Sequence, residues 1–162
     1  MGFVRFTFFL SLLLLFSNVS KSKTGGDPTW TINCQVWDNE SKGYVSTGQE
    51  IVRKYQIGYA PLLKIGIVYG QNNSSSPREL KIIDVMNGYD PNVEQQWWFN
   101  AAGGLSADPG EQDWLEVSFV GATNKNGWID EGTYESEITF EDQTDGAIYK
   151  VPITIYAFKP GK

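Results

Sequence analysis

The 162-residue chain contains no histidine and a single cysteine, Cys34. The missing imidazole takes away the commonest general base, the commonest transition-metal ligand and the usual pH switch together. It also leaves any serine or cysteine nucleophile without a base. The one stretch near a nucleophile-elbow pattern, Gly104-Leu105-Ser106-Ala107-Asp108, ends in aspartate where the pattern needs glycine. No phosphate-cradling loop or dinucleotide fingerprint occurs. Carboxylates are left. A glycosidase needs only two of them flanking a sugar bond, and Asp108, Glu111 and Asp113, or Asp84 and Asp90, supply the type. In an acidic chain such residues are ordinarily solvated loop charges, so no catalytic residue is assigned. Calcium wants six to eight oxygens, which Asp108, Glu111, Asp113, Asn124, Asn126, Asp130 and Glu131 could offer. The calcium-loop pattern fails at its first and twelfth positions, Ala122 and Thr133. Asn126-Gly127 reads instead as a hairpin turn, and no metal or cofactor is expected.

Recognition is the chemistry that the composition favours. Aromatic residues make up 14% of the chain and include six tryptophans. Trp97 and Trp98 are adjacent, so in a strand they point to opposite faces, and only one of them can fill a core. The other would offer a broad flat ring, the surface that sugar rings and protein partners stack against. The segment Asn100 to Asp113 follows directly and is too long for an ordinary hairpin connection. Trp97, Trp98, Asp108, Glu111 and Asp113 are therefore the expected ligand-binding residues, for a carbohydrate or a protein. Asn39, Asn72 and Asn73 each begin an N-glycosylation pattern, relevant only in a source that glycosylates secreted proteins.

The elements that must position these residues have period two. Trp30, Ile32, Cys34 and Val36 alternate with polar residues and predict a strand with Cys34 facing inward as a small buried hydrophobe. Further strands are expected over Glu50 to Tyr59, over Leu63, Ile65, Ile67 and Tyr69, and over Leu80 to Met86, which Asn87-Gly88 closes. Others are expected over Val93 to Phe99, Trp114 to Val120, Thr133 to Phe140 and Ile148 to Phe158. Pro152 lacks an amide donor, so the last strand lies at an edge or turns that position away from a partner. Seven or eight short strands with turn signals between them predict an all-β, two-sheet sandwich. Ahead of them, Met1 to Ser22 has a positive start at Arg5, an apolar run from Phe6 to Phe16 and small residues after it, the order of a secretory signal peptide. That run is too short to span a membrane as a helix. Residues 1–22 are thus read as a signal helix, or a short anchor, and 23–162 as one domain outside the cell.

Within that domain, Trp114-Leu115-Glu116-Val117-Ser118, Glu131-Gly132-Thr133-Tyr134, Ile138-Thr139-Phe140 and Val151-Pro152-Ile153-Thr154-Ile155 stand in order. The rhythm resembles the immunoglobulin-like modules of bacterial secreted and surface proteins, of which BACON-type domains are one branch. The resemblance implies an immunoglobulin-like sandwich with an extracellular binding or spacer role. The formal charge of -6 repels phosphate backbones, so nucleic acid is not an expected partner. Two functions follow: a non-enzymatic binding or adhesion module, or a structural subunit of a surface filament or envelope assembly. In the second, the Pro152 strand and the Lys23 to Pro28 arm would serve as edge and donor.

Overall fold

The computed structural model describes residues 28–38, 41–57, 62–85, 97–121 and 131–159. The signal segment, Asn39, Asp90 and the turns at Asn87-Gly88 and Asn126-Gly127 lie outside the described residues. Ten strands are present among them: β1 (Trp30–Asp38), β2 (Gly43–Gly48), β3 (Ile51–Gln56), β4 (Leu62–Asn72), β5 (Arg78–Val85), β6 (Trp97–Asn100), β7 (Gly104–Ala107), β8 (Gln112–Gly121), β9 (Gly132–Asp142) and β10 (Ile148–Phe158). They form two five-stranded sheets, ordered β2-β1-β4-β8-β6 and β3-β10-β9-β5-β7. All pairs are antiparallel except β10 with β3.

The expected alternation decides which side chains fill the space between the sheets. Trp30, Ile32, Cys34 and Val36 of β1 are buried, as are Leu115, Val117 and Phe119 of β8, Ile138 and Phe140 of β9, and Val151, Ile153 and Ile155 of β10. Apolar residues on every second position can be withdrawn from water only if two such faces meet. Phe119 sits at the centre, with Phe99, Tyr55 and Tyr134 rings around it at 5.2, 5.6 and 6.0 Å.

The expected seven or eight strands undercount the sheets by the two pieces that carry little apolar signal. Of the predicted Glu50 to Tyr59 strand, β3 is the described part, while β2 precedes it with a mostly exposed Gly-Tyr-Val-Ser-Thr-Gly sequence. β7 lies inside the expected Asn100 to Asp113 loop and pairs Arg78 with Ala107 and Leu80 with Leu105. Both added strands are places where the chain changes sheets. β2 pairs with β1 and β3 with β10; Thr47 Oγ1 donates to the Glu50 carbonyl at 2.6 Å across the bend. On the opposite side β6 pairs with β8 and β7 with β5. Each side of the sandwich is thus crossed by one chain segment passing from sheet to sheet, with β2, β3, β6 and β7 as the edge strands.

β4 corrects a face assignment. Leu63, Ile65, Ile67 and Tyr69 were expected to share the inward side, but a bulge between Lys64 and Gly66 shifts the register. An extra residue in one strand reverses every later side chain. Ile65 stays buried, and beyond the bulge Gly66, Val68 and Gly70 face the core while Ile67 and Tyr69 turn outward. Glycine is required at both inward positions by close approach. A Cβ on Gly66 would lie 2.7 Å from the Gln35 carbonyl oxygen, and one on Gly70 2.7 Å from Leu105 Cδ1 and 3.1 Å from Trp30 Cε3.

β10 adopts the second of the two arrangements expected for Pro152. It lies between β3 and β9, so it is internal to its sheet. The β3 pairing begins at Ile153, one residue after Pro152, which places the missing amide just outside the parallel ladder. The strand-exchange arrangement that used this strand as an edge is not open to the fold.

One buried polar group ties the two sheets. Asp142, fully buried, accepts from Trp30 Nε1 at 2.9 Å, from Arg78 Nη1 at 3.0 Å and from the Thr144 amide at 2.8 Å. Arg78 also pairs with Asp145 at 2.6 Å. Trp30 belongs to one sheet and Asp142 to the other, so this carboxylate fixes their relative position as well as its own charge.

Candidate functional site

The side chains pointing away from the core differ sharply between the sheets. On the second sheet β9 presents Glu135, Glu137 and Glu141, β10 presents Lys150, and β5 presents Glu79 and Lys81. Lys150 and Glu137 pair at 2.6 Å. Between these charges the second sheet also exposes Ile83 of β5 and Ile148, Tyr156 and Phe158 of β10.

The first sheet presents amides and rings. The outward positions of β1 are Thr31, Asn33, Gln35 and Trp37, those of β4 beyond its bulge are Ile67, Tyr69 and Gln71, and those of β8 include Gln112, Trp114 and Glu116. Register sets them in rows. Thr31, Gln71 and Gln112 stand across from one another; next come Asn33, Tyr69 and Trp114; then Gln35, Ile67 and Glu116. Directly opposed side chains on neighbouring strands approach to about 5 Å at Cβ, near enough to act as one surface. Trp114 is 57% exposed. Farther along, Trp37 faces Tyr44 of β2 with ring centroids 5.4 Å apart and planes at 80°, and the two are 38% and 45% exposed.

This face is almost free of net charge. Glu116 is the one charged side chain among those outward positions, and Lys64 neutralises it at 2.8 Å. The same bond holds the Lys64 ammonium above its ordinary range. Near the Tyr44 end, Arg53 reaches in from β3 with its guanidinium donating to the Lys64 carbonyl; burial lowers its pKa, against a smaller rise from Tyr44.

Of the residues expected to bind, Asp108, Glu111 and Asp113 lie at the turn into β8 and at its start. Trp97 and Trp98 pair with Gly121 and Val120 at the β6 edge; their side chains are outside the description. Asp113 Oδ2 accepts from the Ser106 amide and Oδ1 from the amide of its neighbour Trp114, both at 2.8 Å, so Oδ2 ties β7 to β8 while Oδ1 caps its own strand. Asp108 and Glu111 close a turn through the Glu111 amide and the Asp108 carbonyl at 3.0 Å, with both side chains exposed. Asn72 does not serve as an exposed acceptor. It is fully buried, its Nδ2 donates to the Ser76 and Ala107 carbonyls at 2.8 and 2.9 Å, and its Oδ1 accepts from Ser74. Its backbone holds the same turn, accepting from Gly110 and donating to Glu111. Asn73 is exposed and donates to Pro28 and Thr31. The segment expected to be a free binding loop is thus anchored at Asn72, β7 and Asp113. Of the residues once considered for calcium, Glu131 accepts from the Lys159 amide at 3.0 Å, and no group of three or more metal-ligating side chains occurs among the described residues.

Beside Arg78 a shallow hollow of about 300 Å³ is lined by Pro77, Glu79, Ser106, Gln143 and Thr144. Arg78 is already engaged by two carboxylates, so the hollow offers no free positive charge to an anion. No helix among the described residues is long and apolar enough to cross a membrane.

No protein-family model matches the sequence, and no curated protein matches it. Solved structures align with it at low identity. A family 123 glycoside hydrolase from Clostridium perfringens aligns over 82% of this chain and 28% of its own, at 12% identity and a TM-score of 0.51. A FixG-related protein from Vibrio parahaemolyticus covers 61% of this chain and 98% of its own, at 12% identity and 0.42. A pilin subunit from enterotoxigenic Escherichia coli covers 83% and 100%, at 13% and 0.41. This chain spans little more than a quarter of the hydrolase, and the likeness is one of fold: a two-sheet β-sandwich.

Proposed function

We propose that the chain is a secreted, non-catalytic binding module that holds carbohydrate against the outer face of its β2-β1-β4-β8-β6 sheet. One observation carries the reading: Trp114, 57% exposed, stands directly opposite Tyr69 in a surface where the amides of Asn33, Gln35, Gln71 and Gln112 surround the rings. A sugar ring has an apolar C–H face and a rim of hydroxyls. Aromatic rings accept the first; asparagine and glutamine, each both donor and acceptor, answer the second. Amides also shed water at less cost than charges do. A non-catalytic reading is supported by the sequence, which has no histidine to serve as a general base. Export is supported by the composition of Met1 to Ser22. An immunoglobulin-like kinship is supported by its motif residues, which occupy the consecutive strands β8, β9 and β10.

The test is affinity electrophoresis of the mature protein and of Trp114→Ala through gels containing soluble polysaccharides. Retardation by at least one polysaccharide is expected for the parent, and most of it is lost in the variant. Equal retardation of the two proteins overturns the assignment of the face.

A further inference from the structure

Resting on that reading, we infer that the ligand is an uncharged, extended polysaccharide chain long enough to bridge two aromatic platforms, Trp114 with Tyr69 and Trp37 with Tyr44. Both platforms lie on the outward side of one continuous sheet, because Asn33, Gln35 and Trp37 alternate with the buried Ile32, Cys34 and Val36. Asn33 shares the Tyr69 row, and Trp37 is four residues farther along the same strand. At ~3.3 Å per residue the platforms are separated by roughly 13 Å along β1, and crossing from β8 to β1 adds about 10 Å sideways. That diagonal exceeds a disaccharide and suits a chain lying flat across the strands.

The ground between the platforms is the Gln35, Ile67 and Glu116 row. Amides there can meet hydroxyls along the chain, and Ile67 can pack against a ring face. Charge decides the class. The protein as a whole is acidic and repels uronic or sulfated polymers at long range. Among the described residues the face has no cluster of free cations to overcome this: Lys64 is paired with Glu116, and Arg53 is a single cation, hydrogen-bonded to a backbone carbonyl that leaves its charge in place. The same neutrality favours no cationic polymer. A neutral chain loses nothing on approach and gains stacking at both ends.

The experiment is titration calorimetry of the mature protein with cello-, manno- and xylo-oligosaccharide series, from disaccharide to hexasaccharide. Polygalacturonate and heparin serve as acidic probes, at low and at high salt. In one neutral series affinity should climb steeply beyond the disaccharide and change little with salt, with no measurable binding of the acidic probes. Trp37→Ala should lower hexasaccharide affinity about tenfold, the size of a lost interface anchor, and leave the shortest ligands unaffected, because Trp114 still holds them. Near-ultraviolet circular dichroism confirms that the variant is folded.

Tight binding of a disaccharide with no further gain, or acidic probes binding in a salt-dependent way, overturns this inference and leaves the glycan-binding face standing. No binding to any neutral or acidic probe overturns both. A dimer by sedimentation that Trp114→Ala dissolves likewise overturns both, because a second copy of the chain would then be the occupant.

Discussion

Replacing Asp142 with alanine tests the idea that one buried carboxylate locks the two sheets together. The substitution removes the acceptor for three donors: Trp30 Nε1, Arg78 Nη1 and the Thr144 amide. Trp30 is buried, so its indole N–H has no water to turn to; stranding one such donor costs ~1–3 kcal/mol. Arg78 loses the partner at 3.0 Å but keeps Asp145 at 2.6 Å. Its cost is therefore below that of a cation left wholly unpaired, for which breaking a buried pair runs to ~3–5 kcal/mol. The sum lands at about 3–4 kcal/mol, which lowers the melting temperature of a domain this size by roughly 10 °C.

Urea unfolding followed by tryptophan fluorescence, with thermal melts alongside, measures it. Asp142→Asn keeps one acceptor and should cost about half as much. Asp145→Asn, at the exposed end of the network, should cost under ~1 kcal/mol. Trp30→Phe and Asp142→Ala together should cost less than the two added, because once the donor is gone there is nothing left to strand. An Asp142→Ala protein within ~1 kcal/mol of the parent, or strict additivity in that double variant, refutes the account.

Three further outcomes follow from other parts of the fold. Gly70→Ala drives a methyl into Leu105 and Trp30 and should destabilise by ~1–3 kcal/mol; adding Leu105→Val should recover part of this in the same urea assay, and no recovery would place the clash elsewhere. Burial, with a smaller push from Glu50, raises the Cys34 thiol to about 12, so Ellman's reagent should leave the native protein unlabelled at neutral pH and react at once in guanidinium; native labelling within minutes would show the thiol to be accessible. The Ala147 amide, and after it Arg78, hold Asp145 below its ordinary carboxylate range. A carboxylate depressed in the folded state stabilises fully above its unfolded pKa and loses that contribution as pH falls through the folded value, so Asp145→Asn should lower stability slightly at neutral pH, flatten the acid limb below about pH 4 and converge with the parent in acid.

The sheets were legible wherever residues spoke with their own hydrophobicity. Trp30 to Val36, Leu115 to Phe119 and Val151 to Ile155 alternate cleanly, and each alternation is the packing observed. What failed was carried by residues with no apolar voice. Gly66 and Gly70 occupy inward positions because the core allows nothing larger there, and a pattern search passes over them in favour of Ile67 and Tyr69. β7 was hidden for a related reason: Gly-Leu-Ser-Ala has one strong hydrophobe, and its strand character comes from pairing with β5. Asn72 looked like a surface acceptor from three letters of sequence, whereas its use is to satisfy six backbone and side-chain groups at once around a turn.

The candidate site escaped the sequence for a deeper physical reason. Two tryptophans side by side in a strand attract attention, yet adjacency sends their side chains apart. A shared surface comes from residues that register brings opposite one another, and Asn33, Tyr69 and Trp114 belong to strands far apart in the chain. Topology then narrows where such a surface can work. The strand carrying Pro152 is internal, and the second sheet carries the Lys150–Glu137 pair and other charges beside its exposed Ile148, Tyr156 and Phe158. An uncharged face with exposed rings costs a protein solubility unless something covers it in use. On this chain that cost falls on the first sheet, where the neutral amides around Trp114 and Tyr69 leave the rings open to a ligand that is itself wet and uncharged.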